Sequence, residues 1–203
     1  MSSEISSPLS EIIKKAAQNT KPGRHSAATA AMRRRFENAS SAVFLLIDVS
    51  SSKASFIGNV GMTKYEAAVY AARDVVRNMP YIRVVVFGLT HPNEVAEITD
   101  LRNFPLPMGD TPLAEALEMV AKSNPVKTII ICDGEPNDRV RAEQVADGMT
   151  GAIDTIYCGP ENSPSHLWLR SLARRCAGRD VVWNGVGELA GSVRLLLPAP
   201  ESA

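Results

Sequence analysis

The chemistry of this chain is concentrated in the stretch "VFLLIDVSSSKAS", residues 43–55. An apolar run climbs to one aspartate, Asp48, and three serines follow at Ser50, Ser51 and Ser52. A carboxylate at the end of a greasy strand with hydroxyls beside it is the beginning of an oxygen cage for a hard cation. Magnesium takes about six oxygen ligands in near-octahedral geometry, so further donors must come from elsewhere in the chain. Two later segments offer them. "MGDTPLAEAL" puts Thr111 just before a helix, and "KTIIICDGEPND" ends a strand at Asp133. Singly, each piece has an ordinary structural explanation: a strand-closing aspartate is a cap or turn former, "GDTPL" a capped helix start, and "DGEPND" turn chemistry. Their conjunction makes the serine run, Thr111 and the two aspartates, Asp48 and Asp133, a candidate metal site.

Alternating strand-like and helix-like runs must bring these segments together. Strands are expected at 42–49, 82–89, 94–101, 126–133, 152–159 and 180–184. Helical spacing covers 64–79, where Ala68, Ala71, Ala72, Val75 and Val76 recur at threes and fours. Further helices are expected at 111–123 with Pro112 in the first turn, at 139–149, at 166–178 ended by Gly178, and at 187–197. This alternation means an α/β fold, doubly wound, with a mainly parallel six-stranded sheet and helices on both faces. In such sheets ligands collect outside the carboxyl ends of the strands, where the strand order reverses. An order of 3-2-1-4-5-6 would set Asp48 and Asp133 face to face at that reversal.

The D-x-S-x-S of "DVSSS", the threonine loop "GDTPL" and the later aspartate and glycine of "CDGEP" occur in that order. Together they resemble the metal-ion-dependent adhesion site of von Willebrand factor A (VWA) domains, over roughly residues 40–198. The resemblance implies a Rossmann-like VWA fold. It implies that Ser50, Ser52 and Thr111 touch the metal and that Asp48 and Asp133 hold it mostly through water. Mg²⁺ is the expected ion and Mn²⁺ a substitute; Ca²⁺ is less suited, because small hydroxyl ligands favour a tight octahedron. The chain departs from the pattern at Lys53, where many members carry methionine. A cation so close is expected to lower metal affinity slightly or to reach for a partner. Lys53, Asp110 and Glu135 are assigned to a partner-binding rim, together with the loop 53–63.

The use implied by the resemblance is protein binding, with an acidic side chain of the partner completing the ion's shell. Intracellular members commonly work in multiprotein assemblies alongside AAA+ ATPases; no ATP-binding motif occurs here, so an ATPase would be a separate subunit. Two other readings remain open: a metal-dependent phosphohydrolase, and an assembly subunit that does not use the ion. The enzyme reading lacks its letters. A haloacid-dehalogenase-type phosphatase needs a second aspartate where Ser50 stands, "GNVGMTK" has the wrong order and spacing for a Walker loop, and no G-x-S-x-G elbow occurs. His25, His91 and His166 have no metal-ligand spacing. A non-enzyme is expected.

Composition adds bounds. The chain of 203 residues balances 22 Lys and Arg against 22 Asp and Glu, so nothing global argues for nucleic acid or a membrane surface. No secretory signal is recognised at the start. Cys132, Cys158 and Cys176 are an odd set without paired spacing, which argues against a disulfide framework; Cys132 and Cys158, in strand-like runs, read as buried reduced thiols, and a cytoplasmic location is expected. Residues 1–40 differ in kind: Leu9, Ile12, Ile13, Ala16 and Ala17 share a helical face, and seven basic residues against three acidic ones give about +4 formally. The expected organisation is a helical extension (1–40), a VWA domain (41–198) and a short tail (199–203).

Overall fold

The computed structural model describes residues 42–57, 61–91, 93–185 and 188–197. The expected helical extension, with its Leu9, Ile12 and Ile13 stripe, and the tail at 199–203 lie outside them.

Six strands form one sheet in the order β3-β2-β1-β4-β5-β6. They are β1 Val43–Asp48, β2 Ile82–Phe87, β3 Val95–Ile98, β4 Lys127–Cys132, β5 Ala152–Tyr157 and β6 Asp180–Val182. All neighbours run parallel except β3, which pairs antiparallel with β2 at the edge. Five helices connect them among the described residues: α1 Lys64–Asn78, α2 Leu113–Ala121, α3 Arg139–Asp147, α4 Pro164–Arg175 and α5 Leu189–Leu196. None is long and apolar enough to cross a membrane.

The period-two alternation of the central strands builds two cores. Val43, Leu45 and Ile47 of β1 join Val84 and Val86 of β2 and Ile129 and Ile131 of β4 under α1 and α5. The intervening residues Phe44, Leu46, Val85, Phe87 and Ile130 face the other way, under α2, α3 and α4. Both faces of β1 are therefore dry, which is why "VFLLI" is continuously apolar.

Local signals set the helix ends. Thr63 accepts the Glu66 amide while Glu66 reaches back to the Thr63 amide, a capping box that starts α1. Ser163 caps α4 and Pro164 takes its first position, so the helix begins before the expected residue 166. Its end also corrects the sequence reading. Ala177, not Gly178, takes the left-handed conformation (φ 53°), and the Gly178 amide donates to Ala173 O at 2.8 Å. Gly178 is required for another reason: a Cβ there would lie 1.8 Å from Ile153 O of β5.

Candidate metal and partner-binding site

Register brings the two aspartates to one edge. Ile47 of β1 is level with Ile131 of β4, so Asp48 and Asp133 both emerge at the carboxyl ends of adjacent strands, on either side of the reversal in strand order. The Asp48 carboxylate is fully buried. Its Oδ1 accepts the Ser50 amide at 2.8 Å, and its Oδ2 accepts the Cys132 thiol at 3.2 Å. The Ser50 and Ser52 hydroxyls lie 3.1 Å apart, and Ser52 Oγ donates to Asp133 Oδ1 at 2.8 Å. A continuous line of oxygens thus runs from the buried Ser50 to the exposed Ser52 and on to Asp133.

The threonine loop is held against this line by backbone contacts. Ser50 bridges Gly109 as a short continuation of the sheet, with the Ser51 amide donating to Gly109 O at 3.0 Å. The approach needs two glycines. Gly88 has φ +90° and no room for a Cβ, which would sit 2.6 Å from Ser50 N; at Gly109 a Cβ would meet Leu89 O at 1.9 Å. Asn137 then fixes Thr111 from the β4 side. Its Oδ1 accepts the Thr111 amide at 3.0 Å and its own amide donates to Thr111 O at 3.1 Å. The Thr111 side chain is left almost buried, close to Gly134. Gly88, Gly109 and Asn137 were missed by sequence reasoning. The "DGEPND" stretch carried the asparagine in plain view, but its target was a backbone 26 residues away.

Lys53 corrects the expected rim. It sits in a short 3₁₀ turn, Ser51–Ala54, and its side chain is wholly buried instead of facing a partner. Its ammonium lies 3.4 Å from Asp133 Oδ1 and 3.9 Å from Asp48 Oδ2, and it donates no hydrogen bond to the described residues. A second ammonium, Lys64 of α1, reaches Asp133 Oδ2 at 2.7 Å. Asp110 and Glu135 are exposed, and Glu135 pairs with Arg139.

Burial and charge pull these groups in opposite directions. Burial pushes the Asp48 carboxyl above its ordinary value, with Lys53 opposing. Burial acts likewise on Asp133, but Lys53 and the Lys64 contact outweigh it and hold that carboxyl below its usual range. Burial disfavours the Lys53 charge, but its surroundings, the Cys158 sulfur and the Asp48 and Asp133 carboxylates, outweigh burial and hold the ammonium above its ordinary value. Burial pushes the Cys132 thiol well up, and the Cys158 thiol up to about 11, so both remain thiols at neutral pH.

The donor chemistry fits a hard divalent cation. Among the described residues no three His, Cys, Asp or Glu side chains gather, so a cation here would have to draw on the hydroxyls of Ser50, Ser52 and Thr111, with Asp48 and Asp133 behind them. Neutral oxygens in front and carboxylates behind suit Mg²⁺ or Mn²⁺. What is unusual in the set is the pair of ammonium groups already facing the carboxylates.

No protein-family model and no curated protein matches the sequence. The fold does have solved counterparts. The crystal structure of the SpRpn10 VWA domain superposes with a TM-score of 0.57 at 13% identity, covering 80% of this chain and 98% of that one. The six-stranded, mainly parallel α/β architecture is that of a VWA-like Rossmann fold.

Proposed function

We propose that this chain is a protein-binding module whose docking rim is the carboxyl edge of β1 and β4, with a divalent cation, Mg²⁺ or Mn²⁺, held by Ser50, Ser52, Thr111, Asp48 and Asp133. The observation that carries this reading is the hydrogen-bonded line from Ser50 through Ser52 to Asp133, backed by the buried Asp48. The ion, when bound, supplies an electrophilic position for a carboxylate oxygen of a partner protein. The chain's own residues do the positioning. Asp48 fixes the Ser50 amide, Ser52 is oriented by Asp133, and Asn137 holds Thr111 through two backbone hydrogen bonds.

A binding role needs nothing more, whereas hydrolysis needs a positioned nucleophile or general base. Two side chains suited to that work are engaged otherwise. The Cys132 thiol donates a hydrogen bond to Asp48, and His166 is buried between the Asn162 amide and the Asp180 carboxylate. The partner class that follows is a protein presenting an acidic residue, in an assembly where any ATPase is a separate subunit.

The test is pull-down from lysate with Mg²⁺ or with chelator, comparing wild type, Thr111→Ala and Asn137→Ala. Partners retained only with Mg²⁺ are expected. Both variants should lose them, although Asn137 offers no side chain to the ion and acts only by holding Thr111. Capture indifferent to chelator and to both substitutions would place the contact surface elsewhere.

A further inference from the structure

Lys53 has no role in the reading just given, yet it is among the largest fully buried side chains of the molecule. A lysine is seldom wholly buried, and when it is, it is paired. Here the pairing is with both acidic members of the candidate cation site, Asp133 at 3.4 Å and Asp48 at 3.9 Å. Among the described residues the ammonium has no hydrogen-bond partner, so its contacts there are the two ion pairs. The count of charges is the second observation. Two buried carboxylates face two ammonium groups, Lys53 and Lys64, and Asp133 contacts both. With both carboxylates ionised the two ammonium groups balance them, and a divalent ion would add two further positive charges beside side chains that are largely buried. Ser52 Oγ and Lys53 Nζ also address the same atom, Asp133 Oδ1.

We propose that Lys53 is a built-in occupant of this site: its ammonium supplies the positive charge that balances Asp48 and Asp133, and a divalent ion binds only in competition with it. The inference rests on the cation-site reading above and deepens it. It makes the wild-type site a weak one, with its oxygens held in place by the chain's own cation when the metal is scarce. Other residues at this position would act differently. A methionine of similar length fills the same space without charge and leaves the carboxylates short of one cation.

The experiment is Mn²⁺ binding followed by electron paramagnetic resonance of the free ion, on wild type, Lys53→Met and Lys53→Arg. Thermal melts of each are recorded in chelator and in Mn²⁺. Lys53→Met should bind at least about tenfold tighter than wild type, because a like charge within a few ångström has been removed. Lys53→Arg should bind as weakly as wild type. In chelator Lys53→Met should melt below wild type, and Mn²⁺ should restore it, whereas the wild-type melt should barely move. Lys53→Gln replaces Lys53→Met if the latter does not fold. Equal Mn²⁺ affinity in wild type and Lys53→Met overturns the competition while leaving the cation site standing. Binding in Lys53→Met with none in wild type supports it, and removes the ion from the wild-type docking scheme. No binding in any variant overturns both.

Discussion

Lys64, the first residue of α1, places its ammonium 2.7 Å from Asp133, the residue that follows β4, across 69 positions of sequence. The contact ties the helix above one face of the sheet to the strand end that carries the site. The Asp133 side chain is 1% exposed and the Lys64 side chain 20%, so water does little to replace the pair once it is broken. Lys64→Met should therefore destabilise the fold by about 1.5–3 kcal/mol, the range for a hydrogen bond to a charged group. The paired substitution with Asp133→Asn should cost less than the sum of the two singles. Denaturant titration checks both; strict additivity would mean that the ion pair carries no net coupling.

Among the described glycines, some are required by the fold and others are not. Gly109→Ala would drive a methyl to 1.9 Å from Leu89 O, backbone that cannot step aside, and should unseat the threonine loop. A loss of about 2 kcal/mol or more is expected, as for strained or overpacked substitutions. Gly191, in α5, has nothing within 4 Å of a Cβ position, and alanine there should stabilise by about 0.5–1 kcal/mol through helix propensity. Thermal melts that move in the same direction for both variants would contradict this division.

Arg83 of β2 forks onto Glu97 of the antiparallel edge strand, at 2.7 and 2.5 Å. The guanidinium holds the Glu97 carboxyl below its ordinary value, although part-burial opposes the shift. A carboxyl depressed in the folded state contributes stability that is complete above its unfolded value. That contribution is lost as pH falls through the lower folded value. Both side chains are about a third or more exposed, so solvent screening keeps the contribution under about 1 kcal/mol. Glu97→Gln should trail wild type by that margin at about pH 7, with the gap closing as pH falls below the ordinary glutamate range and through the lowered folded value. A gap that persists undiminished in acid would assign the loss to packing instead of charge.

The sequence by itself determined the architecture and marked the candidate oxygen donors. Its alternation of apolar runs with helical spacing is local information, and burial of β1 on both faces is written directly into "VFLLI". The strand order entertained from the pattern, 3-2-1-4-5-6, is the order the sheet has. Hence Asp48, Ser50, Ser52 and Asp133, which mark strand ends and turns, could be expected to share one edge. The groups that only the tertiary structure decided all act across the sheet. Whether Lys53 faced solvent or the two carboxylates depended on the 3₁₀ turn that aims it inward, and a long flexible side chain leaves no trace of its direction in the sequence. Lys64 reads as an ordinary start of a helix, and its distant carboxylate becomes a neighbour only when α1 packs over β1. Gly88, Gly109, Gly178 and Asn137 answer to backbone that arrives from elsewhere in the chain. Periodicity and turn chemistry report what a residue does to its own segment, whereas close approach and charge pairing depend on what the folded chain brings beside it.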